Sequence, residues 1–224
     1  RQVSSRVSFL IEGWTAVRGP ARDADATGEL REAFVYLLFG GVDVRAGRQI
    51  IAWGRADGFN PTDNLTGEDL TLLVPDDDDR RLGTTALRAG YYLGDVSVTG
   101  FWLPEFRGHR FPLPPTPGFT FVRDRPRWPG DQWALRVEQV GRAVDWSVSY
   151  FQGRDLTPDL GVPLAAAIPD RETAIELSHH RVQVFGGDMA ANLGRIGLRA
   201  EGAYVDTEDG AARDPFTKNP FLIV

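Results

Sequence analysis

Charged and amide side chains recur on one side of several alternating stretches of this sequence, and the chemistry they offer is electrostatic. Carboxylates and guanidinium groups set in opposed rows create a transverse field, which selects among the solutes that pass between the rows. For any single residue, a salt bridge in the protein interior is the plainer interpretation. The candidate set comprises Arg6, Glu12, Glu32, Arg45, Gln49, Arg88, Arg136, Glu138, Asp145, Arg199 and Glu201.

A second group of charges lies in the long segment 54–83, which is rich in Asp and Gly. Thr66 followed by Asp69 is a capping arrangement, and it predicts a short helix over 67–73. Consecutive carboxylates offer oxygen ligands to Ca²⁺, but adjacent side chains point in different directions and lack the spacing of a calcium loop. Ion pairs with the following arginines are the simpler interpretation. The charged residues concerned are Asp63, Asp69, Asp76, Asp77, Asp78, Asp79, Arg80 and Arg81.

Catalytic chemistry has weak support. Ser178 adjoins His179 and His180, but neighbours along a strand point to opposite faces, and no nucleophile motif surrounds the serine. The third histidine, His109, lies in a Pro-rich segment. Neither a phosphate-binding glycine motif nor a zinc-ligand spacing occurs. We therefore expect no enzyme activity, no bound metal and no cofactor. The alternative is a hydrolase that uses Ser178, His180 and a carboxylate or amide partner.

Composition excludes several classes of protein. The chain has 224 residues and a formal charge of −6, whereas a general nucleic-acid binder shows a basic excess, so we expect no nucleic-acid partner. The chain has no Cys, which excludes disulfides and thiolate metal sites. No run of about 18 apolar residues occurs, so the sequence predicts no transmembrane helix. A role in a membrane would have to rest on strands.

Strand-period alternation dominates the chain, and the connections between strands alternate in length. Tight links contain glycine at 39–41, 93–95, 140–142 and 185–194, whereas the connections 54–83, 104–130, 154–172 and 206–220 are long. Short turns at one end and long loops at the other are typical of bacterial outer-membrane barrels. A β-propeller needs four strands in each repeat, and only two fit here. The predicted strands are 4–17, 31–39, 42–53, 84–93, 95–103, 131–140, 143–153, 173–185 and 192–205.

The medium on each side of these strands decides the function. In AVDWSVSYF, 143–151, Val144 and Trp146 lie on one side, and Asp145 and Ser147 lie on the other. A soluble sandwich would bury the apolar side, whereas a membrane barrel would turn it toward lipid. Aromatic residues near strand ends favour the barrel because they form interfacial girdles. These aromatic residues are Trp14, Trp102, Trp133, Trp146, Tyr150 and Tyr204.

Arg48 departs from this pattern because regular alternation places it on the apolar side. Such a charge in the middle of a bilayer costs about 2–4 kcal/mol. A bulge at Gly47 would turn Arg48 to the polar side. Alternatively, Arg48 lies near the membrane interface and extends its charged group toward water.

The stretch 30–70 resembles a large family of Gram-negative outer-membrane proteins of unknown function, which are porin-like and similar to alginate-export barrels. The matching features are REAFVYLLFG, AGRQIIAWG, NPTD and, at 76–83, DDDDRRLG. The resemblance implies part of an antiparallel up-and-down transmembrane β-barrel with short periplasmic turns and long extracellular loops. It also implies a longer parent, with an export signal and early strands before residue 1 and more strands after residue 224. Because an open sheet would expose two unpaired edges to lipid, we expect a complete barrel of about 14 to 18 strands. Its implied partners are the outer-membrane bilayer and the barrel-assembly machinery.

The expected function is that of an outer-membrane channel for passive passage or export of a small solute or polymer. The whole chain, 1–224, is then part of the barrel wall. The segment 54–83 is expected either to fold into or over the lumen or to form a solvated external loop. A plugged barrel with a structural or envelope-assembly role is the main alternative. A barrel hydrolase is the second alternative.

Overall fold

The computed structural model describes residues 2–4, 6–18, 25–55, 60–74, 76–123, 128–141, 143–161, 173–208 and 218–224. These residues form strands and one short 3-10 helix, Asp77–Arg80. No helix in these residues is long and apolar enough to cross a membrane. The strands are β1 (Gln2–Ser4), β2 (Val7–Arg18), β3 (Asp25–Phe39), β4 (Val42–Gln49), β5 (Thr84–Leu93), β6 (Val96–Leu103), β7 (Phe119–Arg123), β8 (Gln132–Gln139), β9 (Val144–Arg154), β10 (Asp159–Gly161), β11 (Thr173–Ser178), β12 (Arg181–Leu193), β13 (Ile196–Thr207) and β14 (Phe221–Ile223).

Eleven strands form one antiparallel sheet in the order β1-β2-β3-β4-β5-β6-β8-β9-β12-β13-β14. Strands that are consecutive in this sheet are joined alternately by tight turns and by long connections. Gly40, Gly94 and Gly141 occupy tight turns with positive φ, which a residue with a Cβ adopts only with strain. The predicted fold class, an all-β antiparallel up-and-down sheet with short turns at one end, is confirmed.

The turn predicted at 185–194 is wrong, because FGGDMAANL, 185–193, lies within β12 and the turn begins only at Gly194. The predicted strand 173–185 is correspondingly split between β11 and β12. Gly186 is needed for close approach of another segment and not for a turn. A Cβ added at Gly186 would lie 2.5 Å from Cγ2 of Thr62.

The long connections carry structure that the alternation did not predict. β7, β10 and β11 form a second sheet in which β10 pairs antiparallel with β11, and β11 pairs parallel with β7. The helix predicted over 67–73 is wrong: that segment forms only a single turn, in which the Leu72 amide donates to the Asp69 carbonyl at 3.2 Å, and the 3-10 helix lies further along at Asp77–Arg80. Asp76 caps this helix by accepting a hydrogen bond from the Asp78 amide at 3.1 Å.

The two faces of the main sheet differ in what covers them. On one face, Phe101, Phe151 and Val184 are buried beneath the segment 50–83, and we call this the covered face. On the other face, large apolar side chains stay exposed, and we call it the uncovered face. Its exposed members include Ile11, Leu87, Tyr91, Leu93, Trp102, Trp133, Leu135, Val148, Phe185, Met189, Ile196, Leu198, Tyr204 and Leu222.

Aromatic side chains mark one edge of the apolar band on the uncovered face. The ring of Tyr150 lies 4.9 Å from those of both Trp133 and Phe185, measured between centroids. Two positions further toward the long connections the face becomes polar, with Gln183 opposite both Gln152 and Asp206. The Tyr150 hydroxyl donates to Oε1 of Gln183 at 3.0 Å, so this ring is apolar on its body and polar at its tip.

The bulge proposed at Gly47 is absent, because β4 pairs residue for residue with both neighbours through Gly47 and Arg48. Gly47 nevertheless has a φ of 130°. The irregularity lies instead in β3, where Glu12 pairs with Glu32 and Gly13 with Leu30. The guanidinium of Arg48 contacts Glu105 at 3.1 Å and Glu29 at 3.6 Å, so its charge is compensated within the protein.

Candidate functional site

The described residues of the segment 50–83, namely 50–55, 60–74 and 76–83, are called the inner segment here, and they lie against the covered face. Its residues Ile51, Trp53 and Leu65 are buried in one apolar cluster with side chains of β5, β6, β8, β9, β12 and β13. The Trp53 ring meets the Phe101 ring edge-on at 5.6 Å. Burial of apolar surface on this scale fixes the inner segment to the sheet. The segment predicted to fold into or over the lumen therefore packs on the charged face of the strands.

Arg55 joins the inner segment to four strands at once. Its guanidinium lies 2.6 Å from Glu138 of β8, 3.5 Å from Asp145 of β9 and 2.6 Å from Asp188 of β12. Its backbone amide donates to Glu201 of β13 at 2.8 Å. Three of these carboxylates, Glu138, Asp145 and Glu201, belong to the charged row predicted from the sequence. The geometry makes them anchors for the inner segment.

Asp188 is the most enclosed carboxylate of this group, with a side chain 1% exposed. It also accepts from Arg136 at 3.1 Å and from the Ser147 hydroxyl. Arg136 in turn lies over the Trp53 ring, with Cζ 5.8 Å from its centroid. Charge pairs, hydrogen bonds and a cation–π contact thus converge where the inner segment crosses β8 and β12.

The inner segment is also fixed at Thr62, which contacts Glu201 and Gly186 of the sheet. The Thr62 amide and hydroxyl donate to Glu201 at 3.1 and 2.7 Å. Because Gly186 has no Cβ, the Thr62 methyl group can lie close against its backbone. A carboxylate that receives several hydrogen bonds fixes a loop in one position.

Replacing Gly186 with Ala is expected to lower the free energy of unfolding by about 1–3 kcal/mol, because the new methyl overpacks the Thr62 contact. Gly187→Ala is the matched control: its Cβ would meet only the Ser147 carbonyl, at an ordinary 3.4 Å. Thermal unfolding of both variants in detergent measures the difference. Equal midpoints would contradict the packing of the inner segment against β12.

The connection 104–110 supports the inner segment from the side of the long loops. Glu105, only 1% exposed, pairs with Arg48 and accepts from the Thr85 amide at 2.9 Å and hydroxyl at 2.7 Å. The amide of Glu68 donates to Nδ1 of His109 at 2.9 Å. Burial lowers the pKa of His109, consistent with a neutral ring that accepts this hydrogen bond.

The carboxylate of Glu29, in β3, contacts three arginines, two of which belong to this connection. It lies 2.6 Å from Arg107, 3.2 Å from Arg110 and 3.6 Å from Arg48. Arg110 also pairs with Asp69 of the inner segment at 3.0 Å. Burial alone would raise the pKa of Asp69, but hydrogen bonds from Thr71 and Arg110 outweigh it and hold that pKa below its usual value.

The predicted pairing of the Asp run with the following arginines is found for Asp78 and Arg81, whereas Asp79 and Arg80 pair with residues outside the run. Arg81 bridges Asp63 at 2.6 Å and Asp78 at 3.0 Å, and Asp79 reaches Arg31 at 3.2 Å. Arg80 lies 4.0 Å from Glu68. The side chain of Asp77 lies outside the described residues. Among the described residues, no group of three or more His, Asp or Glu is placed to hold a metal ion.

Burial raises the pKa of Asp63 to about 6, although its partner Arg81 opposes the shift. Between about pH 4 and about pH 6, the Asp63 carboxyl is therefore protonated in the folded state and ionised in the unfolded state. In this window the contribution of Asp63 to the free energy of unfolding grows as the pH falls.

From about pH 7 to about pH 4, the wild type should gain on the order of 1–2 kcal/mol of stability relative to Asp63→Asn. Thermal unfolding of both proteins at the two pH values measures this difference. Asp78→Asn removes the exposed carboxylate that shares Arg81, and its pH dependence should follow that of the wild type. Parallel curves for wild type and Asp63→Asn would contradict the raised pKa.

Of the remaining predicted charges, Arg45, Arg88 and Arg199 lie on the same face toward the tight turns. Arg45 stacks on Phe34, and Arg88 pairs with Asp43. Two open clefts lie on this side of the inner segment, one of about 610 Å³ beside Arg45 and one of about 640 Å³ beside Arg199. The other predicted residues make local contacts. The side-chain amide of Gln49 donates to the Ala86 carbonyl at 2.9 Å, and the Glu32 carboxylate accepts from the Ile50 amide at 3.0 Å. Glu12 pairs with Arg31 at 3.2 Å, and the Arg6 carbonyl accepts from the Leu38 amide at 2.8 Å.

A comparison with protein families matches residues 15–217 to the family described as "Protein of unknown function (DUF1302)". The chain belongs to this family. No curated protein and no solved structure matches the chain. The family description names no activity, so the function has to be argued from the geometry of the covered face.

Within this DUF1302 chain, sequence reasoning missed several residues that organise the site. Asp188 was missed because its strand was interpreted as a turn. Arg55 and Glu105 lie in long connections, where strand periodicity gives no information about direction, and Glu29 lies in the part of β3 that precedes the predicted strand 31–39. The alternation of β12, with Asp188 in phase with Val184, is the signal that would have found one of them.

Proposed function

We propose that the protein is an outer-membrane β-barrel channel for passive passage or export of a solute, with the inner segment as its constriction. The observation that carries the proposal is the reversal of the two faces. Large apolar side chains stay exposed on the uncovered face, while the charges lie on the covered face beneath the inner segment. A sheet of a soluble protein buries its apolar face, whereas a membrane barrel exposes it to lipid.

The edge of the apolar band supports the same proposal. The aromatic row at Tyr150 gives way to Gln152, Gln183 and Asp206, as at a boundary between lipid and water. The tight-turn end then faces the periplasm and the long connections face outward. Export across the inner membrane, insertion by the barrel-assembly machinery and residence in the Gram-negative outer membrane follow as parts of the proposal.

The inner segment favours a narrowed lumen and supports a second candidate. Its apolar cluster and the contacts of Arg55 tie it to the strand wall, so a barrel with this segment in place is constricted or closed. A plugged barrel with a structural or envelope-assembly role has the same arrangement. The two candidates differ in whether ions pass.

Single-channel recording of the full-length protein in a planar bilayer tests the proposal. A channel gives discrete open steps, and charge reversal at Arg199, beside one of the clefts, should shift its ion selectivity. A folded barrel that never conducts favours the plugged alternative. In that event, deletion of 60–81 should produce conductance if the inner segment is the plug.

A further inference from the structure

The cleft beside Arg45 combines apolar walls with an uneven charge balance. It spans the covered face from β2 to β6 and has a volume of about 610 Å³, within the range of about 300–1,000 Å³ common for small-molecule sites. Leu10, Phe34, Ile51 and Phe101 form apolar walls. Among the described residues that line it, Arg45 and Arg88 carry the charge, and no carboxylate does.

Arg45 and Arg88 lie directly opposite each other on β4 and β5. Like charges in this arrangement destabilise a sheet unless a counter-charge is present. Asp43, fully buried, supplies one carboxylate and pairs with Arg88. Two cations therefore share one anion in this row.

Asp43 pairs with Arg88 and not with Arg45. Within the described part of the chain Arg45 forms no ion pair; its Cζ lies 4.4 Å from the Phe34 ring centroid and 5.9 Å from that of Tyr36. Its Nε is buried without a hydrogen-bond partner. Aromatic rings compensate a cation weakly compared with a carboxylate, so the guanidinium keeps the capacity to bind an anion.

We infer that this cleft binds a small organic anion with an apolar body, such as an aromatic carboxylate. The carboxylate pairs with Arg45, and the ring or chain packs against Leu10, Phe34, Ile51 and Phe101. Chloride and acetate are too small to cover the apolar walls, and a neutral aromatic ring provides no counter-charge for Arg45. These ligands should therefore bind less tightly than an aromatic carboxylate. The inference names a substrate class for the proposed channel and depends on that function only for the route of entry.

Isothermal titration calorimetry of the full-length protein in detergent tests the site with benzoate, benzamide and acetate, each corrected against empty micelles. Benzoate should bind at least about tenfold more tightly than either comparison compound. Arg45→Gln should weaken benzoate binding by at least about tenfold. Arg199→Gln removes an equal charge from the same face outside this cleft and should leave benzoate affinity unchanged.

Equal affinity for benzoate and benzamide, undetectable benzoate binding or wild-type affinity in Arg45→Gln would each overturn the inference. Circular dichroism checks the fold of each variant. If Arg45→Gln does not fold, Arg45→Met replaces it: this variant keeps a long side chain but removes the charge, and a benzoate affinity equal to wild type would overturn the site. Because the assay needs no conduction, benzoate binding without open steps would retain the site and reject the channel. Open steps without benzoate binding would do the reverse.

Discussion

Arg55→Ala is expected to lower the free energy of unfolding by about 3 kcal/mol and to release the inner segment from β8, β9 and β12. The Asp188 contact accounts for most of this effect, because that carboxylate is buried and would lose one of its two arginine partners. Glu138 and Asp145 have side chains 31% and 30% exposed, so solvent screens their share. Arg136 still neutralises part of the Asp188 charge, which places the cost at the lower end for a broken buried pair.

Two measurements check the Arg55→Ala prediction. Thermal unfolding in detergent should show a lowered midpoint, and planar-bilayer recording should show larger or more frequent open steps as the inner segment leaves the wall. Arg123→Ala removes an exposed arginine of β7 and is the control for loss of charge alone. If Arg55→Ala and Arg123→Ala behave alike in both measurements, Arg55 does not anchor the inner segment.

Arg55→Lys separates charge from geometry. Lysine keeps one positive charge but lacks the planar guanidinium that reaches Glu138, Asp145 and Asp188 together. We expect its stability and conductance to fall between those of wild type and Arg55→Ala. Wild-type behaviour would show that charge alone holds the segment.

The strands could be predicted from the sequence because their two faces differ in polarity, with apolar side chains on one face and charged or hydroxyl side chains on the other. In β9, the alternation of Val144, Trp146 and Val148 with Asp145 and Ser147 is a local property, and the structure places the two sets on opposite faces. The same reasoning failed at Gly186. A glycine pair followed by Asp predicts a turn. In the structure, glycine is needed at position 186 because Thr62, which is remote in sequence, packs directly against it.

The candidate site could be predicted only in part, for a related physical reason. Period-two alternation assigned Glu138, Asp145 and Glu201 to one face, but it carries no information about what crosses that face. Their common partner Arg55 comes from a connection, and its direction is set by the apolar packing of Trp53 and Leu65. Contacts between a connection and distant strands depend on tertiary packing, which single-strand patterns do not encode.

The medium at the uncovered face is tested most directly by a buried-charge experiment along β9. Val148 lies mid-strand and is 53% exposed, while Val144 begins the strand beside a tight turn. If this face meets lipid, Val148→Arg should cost about 2–4 kcal/mol and Val144→Arg only about 0–1 kcal/mol, since the penalty falls from the bilayer midplane to the interface. Urea titration of folding into phosphatidylcholine vesicles measures both costs. In a water-facing sheet, arginine at either exposed position changes stability little, so two small and equal effects would reject the lipid-facing surface and with it the channel. A depth-dependent penalty has no explanation in a soluble protein, because water at Val148 and water at Val144 solvate the guanidinium equally.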